Sequence, residues 1–218
     1  MKYDLSVFQE PRGVMRIFQF IFAICALYTT LNFEVTVTVV EKAHSNSSTF
    51  DYPFRFGQEV CLKSDNTTKL GLSADVSSDA RFFVATSVLS VLYCIFITAV
   101  YTFIDEIYTS KPEVPLADFM LTTILAIFWL SGSAAWANGA SALKQVTNPT
   151  LIKAQCPNLI QVVTSSFSRL NISLLFGFLN FFLWASDLWF LYKETYWFKE
   201  RQPNVDGAGG SNLNAPNI

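Results

Sequence analysis

The chain has 218 residues, of which 51% are hydrophobic, 16% aromatic and only 15% charged, with a mean hydropathy of +0.34. A soluble domain carries about 25% charged residues, so this composition excludes an ordinary water-facing globule. A net charge of −2 with no basic excess leaves no electrostatic footprint for a nucleic-acid partner.

A helix crossing a hydrocarbon core of about 30 Å needs roughly 20 apolar residues, and four windows qualify. The expected organisation is a short cytoplasmic N-terminus (1–16), spans at about 17–33, 82–104, 118–137 and 172–192, luminal loops at 34–81 and 138–171, and a tail at 193–218. The fold class expected is an all-α membrane protein, a bundle of four transmembrane helices with a small luminal β-hairpin in the first loop. Arg12 and Arg16 precede the first window, and Pro11 and Gly13 punctuate its start as a helix beginning. A cleaved signal peptide is the alternative there, but no small-residue cleavage site follows Ala23 and Ala26 cleanly.

In the first loop, Phe33, Val35, Val37 and Val39 alternate with polar residues, and so do Phe50, Tyr52, Phe54 and Phe56. Period-two alternation predicts two half-buried strands, with the polar run Lys42–Thr49 as their turn and Pro53 marking an edge or a bend. The second loop shows no comparable pattern. Beyond Tyr192 the chain becomes polar and rich in Asn, Gly and Pro, a composition unable to bury enough apolar surface to fold, so a disordered cytoplasmic tail is expected.

Lys and Arg are nearly balanced between the two sides; normalised by loop length they lean toward a cytoplasmic N-terminus. The sequons at Asn46 and Asn66 lie together in the first loop and mark it as luminal and glycosylated. Asn148 is blocked by Pro149, and Asn171 abuts a span. Cys25 and Cys94 fall inside spans, whereas Cys61 and Cys156 fall one in each luminal loop. A disulfide between the loops is the expectation, and free or intermolecular thiols are the alternative.

The last span keeps Asn180 and Asp187 two helical turns apart, on one face with Gly177 and Trp184. That face should point into protein, since a charged Asp at the centre of a lipid-facing helix costs roughly 2.5–3.5 kcal/mol. Asp187 lies about 24 Å along the helix from Asn171, near the cytoplasmic boundary. It reads as a polar contact or an interface-level cap, a proton relay or pore-lining group being the functional alternative; no basic residue is expected at matching depth in another span. Gln19, Ala23, Ala26 and Thr30, then Thr86, Ser90 and Tyr93, form similar faces, and the third span ends in "SGSAAWANGAS" with Gly132 and Ala135. Small residues let helix backbones approach where the hydrophobic effect is absent, so these are packing or partner faces rather than a ligand site. Trp184, Trp189, Tyr192, Tyr196 and Trp197 suggest an aromatic belt. The one histidine, His44, has no Cys or carboxylate cluster around it, and no P-loop, dinucleotide turn or Ser/His/Asp set can be assembled. No enzyme activity, cofactor or metal is expected.

The blocks "EPRGVMRIFQFIFAICA", "YPFRF", "WLSGSAAWANG" and "LNISLLFGFLNFFLWASDLWFLYKETYW" resemble, in order from Phe8 to Trp197, the synaptophysin, synaptoporin and pantophysin (physin) family of tetraspan vesicle proteins within the MARVEL-domain class. Claudin-like and tetraspanin motifs are absent. The resemblance implies a non-enzymatic component of synaptic or other secretory vesicles. Such a protein would form homo-oligomers, contact the transmembrane segment of the vesicle SNARE synaptobrevin, bind cholesterol and membrane lipid, and associate with the vacuolar proton pump. Leu191, Tyr196 and Lys199 form a candidate sterol contact of the L-x4-Y-x2-K type. This chain has one cysteine per luminal loop where the family typically has two, lacks the family's long Tyr-Gly-Pro tail, and has Asp187 where Asn is usual. The alternative function is an oligomeric channel of the vesicle membrane with Asn180 and Asp187 near its path.

Overall fold

The computed structural model describes residues 11–41, 44–62, 69–103, 113–156 and 159–195. Four long helices dominate it: α1 (Pro11–Leu31), α2 (Ser77–Phe103), α3 (Glu113–Val146) and, after a short helix α4 (Pro149–Gln155), α5 (Ser168–Glu194). All four long helices contain windows long and apolar enough to cross a membrane.

Their inward residues recur every three and four positions. On α5 these are Leu170, Ser173, Gly177, Asn180, Trp184, Asp187 and Leu191; on α1 they are Arg16, Gln19, Ala23, Ala26 and Thr30. This alternation is the seam of a helix bundle. Contacts run α1 to α2, α2 to α3, α3 to α5 and α5 back to α1, a closed up-and-down ring. Leu175, Phe182, Leu92 and Phe96 point outward and are more than half exposed.

The spans extend past their expected limits, most of all in α3. At 34 residues it is about 51 Å long, well beyond a 30 Å core. Residues 138–146, expected as loop, continue the helix, and Asn148 then caps α4 by accepting from the Thr150 N–H at 3.0 Å, with Pro149 at the first position.

At one end of the bundle sits a three-stranded antiparallel sheet in the order β2 (His44–Phe50), β1 (Val35–Glu41), β5 (Gln161–Thr164). The hairpin expected in the first loop is present, but its second strand differs. Val35 pairs with Phe50 and Thr38 with Ser47, so the polar run read as a turn is largely strand. It lacks alternation because it is an edge strand with residues 45–47 exposed, held by backbone bonds and a Thr36–Thr49 hydroxyl contact of 3.0 Å. The second loop, which shows no strand pattern, supplies β5, pairing Val37 with Thr164 and Val40 with Gln161. The aromatic run around Pro53 turns instead of pairing with β1: Tyr52–Pro53 is cis, and the Phe54 N–H donates to the Asp51 carbonyl at 2.7 Å. β3 (Arg55–Leu62) then pairs with β4 (Lys69–Asp75).

Phe54, at φ 61°, turns its ring fully inward. There it lies 5.6 Å from the Phe33 ring and 5.4 Å from Trp136, and Phe33 reaches Phe167 at 6.0 Å. Trp136 continues to Phe83, which meets Trp129 edge-on at 5.6 Å. The indoles are satisfied in passing, Trp136 donating to Ser173 Oγ at 2.9 Å and Trp129 to Ser90 Oγ at 2.8 Å. An aromatic column thus joins the sheet to the middle of the bundle.

Candidate functional site

The opposite end of the bundle is held by charge. Arg16, one and a half turns into α1, is 1% exposed. Its Nη2 donates to Asp118 Oδ1 on α3 at 2.7 Å and to Thr122 Oγ1 at 2.9 Å, crossing the middle of the helix ring. Its Nη1 donates to Gln19 Oε1 at 2.9 Å and lies 3.0 Å from Asp187 Oδ2 on α5. Gln19 completes that side by donating through Nε2 to Asp187 Oδ2 at 3.0 Å. From α2, Tyr93 donates its hydroxyl to Asp118 Oδ1 at 2.5 Å and Tyr101 donates to Asp118 Oδ2. The guanidinium also lies 5.4 Å from the Tyr93 ring and 5.4 Å from the Trp184 ring.

All four spanning helices therefore meet in one network, and one guanidinium serves two carboxylates. Asp118 receives Arg16, both tyrosines and Thr122 (3.3 Å), donors from three different helices. A buried ion pair is a poor source of net stability but an effective selector of geometry, since breaking it on one side strands a charge. What the arrangement can do chemically is fix the axial register of four helices in a medium that offers no hydrophobic preference among them.

The absence of a basic partner for Asp187 is overturned: Arg16 is that partner. The spacing Arg16, Gln19, Ala23, Ala26 carries the inward seam of α1 one turn beyond the uncharged window, and Asp118, Thr122, Leu125 and Trp129 do the same on α3. That periodicity was the available signal. Treating flanking charges only as topology markers hides it.

Other candidate residues separate. Gly177 is a tight contact between α5 and its neighbours: an added Cβ would stand 2.5 Å from Ser133 Oγ and 2.6 Å from the Phe83 ring. Gly132 is buried with looser surroundings, 3.6 Å to Thr86 Oγ1, and Ala135 is half-buried. Asn180 is buried and donates to the Phe176 carbonyl of its own helix at 2.9 Å. Trp184 is also fully buried and so is no member of an interfacial belt; Trp189, 58% exposed, can be one. Leu191 faces the bundle interior, which removes it from a sterol contact; Tyr196 and Lys199 lie outside the described residues.

At the sheet end, Asn46 is exposed on the edge strand, and Asn66 lies outside the described residues. Cys156 is buried and disulfide-bonded, while Cys25 and Cys94 are free; the side chain of the fourth cysteine, Cys61, is outside the described residues. Among the described residues no group of three or more His, Cys, Asp and Glu could hold a metal ion.

The family model MARVEL, described as a membrane-associating domain, matches residues 8–190.

Proposed function

Because the chain belongs to the MARVEL family of membrane-associating domains, we propose that it works as a non-enzymatic scaffold of a secretory or synaptic vesicle membrane. In this role it oligomerises and gathers other membrane proteins, the vesicle SNARE synaptobrevin foremost, with the vacuolar proton pump as a further associate. Both termini then face the cytoplasm, and the sheet, with Asn46 accessible on its edge, faces the lumen.

The observation that carries this reading is the division of the "SGSAAWANGAS" segment between two faces of α3. Gly132, Ser133, Trp136, Gly139 and Ala140 are buried within the bundle, so they are unavailable to a partner. Ser131, Ala134, Asn138 and Ser141 repeat at helical spacing on the outer face, and all are exposed. The hydroxyls of Ser131 and Ser141 donate to their own backbone, to Ile127 and Ala137, at 2.6 and 2.9 Å. A small-residue strip with an amide on the outer face of the bundle favours close approach of another transmembrane helix.

Crosslinking in native membranes, followed by affinity capture and mass spectrometry, tests it. Self-oligomers and synaptobrevin should be recovered, and Ala134→Trp should deplete them without changing the elution of the purified chain. Recovery of monomer alone from the unsubstituted protein would sink the scaffold reading. The channel alternative finds less support, since Asp187 is tied to Arg16 and Gln19 and Asn180 to its own helix.

A further inference from the structure

At the sheet end, where β1 leaves α1 and the link from β5 enters α5, a cavity of about 300 Å³ opens between Glu34, Thr36, Ser165, Ser166, Ser168 and Arg169. Reciprocal bonds fix its two sides: the Thr36 N–H donates to Ser165 Oγ at 2.9 Å, and the Ser165 N–H donates to the Thr36 carbonyl at 2.9 Å. Arg169 Nη1 donates to the Asn32 carbonyl at 3.1 Å, which anchors the guanidinium across the end of α1. The volume is at the small end for ligand sites, about 300–1,000 Å³, so the occupant is compact.

The cavity carries both signs of charge in reach of solvent. Glu34 and Arg169 are exposed, and among the described residues no ion pair joins them. With Nη1 engaged by Asn32, the Arg169 guanidinium keeps Nε and Nη2, the fork edge that takes two oxygens of a phosphate. Glu34 repels a simple anion and Arg169 a simple cation, whereas a ligand bearing both charges satisfies the two at once. The height of the cavity narrows the class further. The apolar window of α1 ends at Leu31 and that of α5 begins at Ser168. Glu34 follows Leu31 by three residues, at most about 10 Å of chain, so the site flanks the polar layer of a bilayer, about 5–8 Å deep on each side. The zwitterions of that layer are phosphocholine and phosphoethanolamine, each a phosphate and an amine cation on a short alkyl bridge.

We infer that this cavity binds a zwitterionic phosphate ester of an amino alcohol, its phosphate on Arg169 and the serine hydroxyls and its amine cation against Glu34. The site is independent of the scaffold reading, which rests on the outer face of α3. Native mass spectrometry of the full-length protein, released from nanodiscs of equal parts phosphatidylcholine, phosphatidylethanolamine and phosphatidylglycerol, provides the test. Adducts of the two zwitterionic lipids should outnumber those of phosphatidylglycerol. Glu34→Gln should shift that ratio toward phosphatidylglycerol by about fivefold, the upper end for an exposed charge pair. Arg169→Gln should deplete the zwitterionic adducts without that shift, whereas a variant that merely unfolded would lose all three lipids together. Excess soluble phosphocholine separates the sources of the ligand: adducts that survive it assign the site to a lipid headgroup, and adducts it displaces assign the site to the free ester, the zwitterion being kept in both. Phosphatidylglycerol retained as well as phosphatidylcholine, or a ratio moved by neither substitution, overturns the site.

Discussion

The two ends of the bundle solve one problem with different chemistry. At the sheet end, Phe33, Phe54, Trp136 and Phe167 lock helices to strands through rings 5.4 to 6.0 Å apart. At the other end, Arg16, Asp118, Asp187 and Gln19 do so through directed bonds of 2.7 to 3.0 Å. The sheet end projects toward water, where burying aromatic area is itself a driving force. The charged end lies within the spans, where lipid tails are as apolar as any side chain and association must come from polar bonds and close fit. A ring stack tolerates small slips, whereas a guanidinium gripped by two carboxylates from different helices admits one register.

The sharpest way to break this comparison is to remove the shared cation. Arg16→Met leaves two buried carboxylates without a counter-charge and should cost about 5 kcal/mol, the upper end for a broken buried pair. Unfolding in mixed micelles should show the loss, and hydrogen exchange should rise across all four helices together. The triple variant Arg16→Met, Asp118→Asn, Asp187→Asn removes every formal charge and should recover most of it; failure to recover would mean the ions stabilise by more than geometry.

Phe54→Ala at the other end should cost about 3 kcal/mol, in the range for truncating a buried Phe. Its exchange signature should stay local, confined to β1, β3 and the upper turns of α3. If both variants opened the same residues, the ends would be one cooperative unit and the contrast would fall.

Gly177→Ala probes the middle of the bundle. The added methyl meets Ser133 Oγ and the Phe83 ring below 3.0 Å, so α5 must shift, at about 1–3 kcal/mol for overpacking. Gly132→Ala, with 3.6 Å to spare, should be close to neutral by the same micelle assay.

The smallest effect is expected at Asp75, a surface carboxylate before α2. Hydrogen bonds from the Ser77 hydroxyl (2.6 Å) and N–H (3.2 Å) hold its pKa below the ordinary carboxylate value. A depressed folded-state value means the contribution is present above the unfolded pKa and lost as pH falls through the folded one. Thermal melts of Asp75→Asn and the unsubstituted chain should therefore differ slightly at neutral pH and converge in acid.

The bundle was legible because apolar length is a strong signal and because Gln19, Ala23, Ala26 and Thr30 repeat at bundle spacing on α1. The face of Gly177, Asn180, Trp184 and Asp187 was legible for the same reason. What it faces was not, since pairing Arg16 with Asp118 spans 102 residues and no local pattern encodes a diagonal contact. The sheet was half legible. Val35, Val37 and Val39 alternate because they cover a core; His44–Thr49 and Gln161–Thr164 pair with β1 through their backbones, leaving little trace in side-chain polarity.

The ion cluster also orders events in time. Arg16 on α1 is made before Asp118, which arrives with α3, and Asp187 follows later still, with α5. Until then α1 carries a cation with no acid to receive it, and its long side chain must reach back toward the headgroups. The ring of helices therefore closes only once α5 has followed α3, and a ribosome that stops before then leaves α1 lodged at the membrane edge, a visible mark of an unfinished molecule.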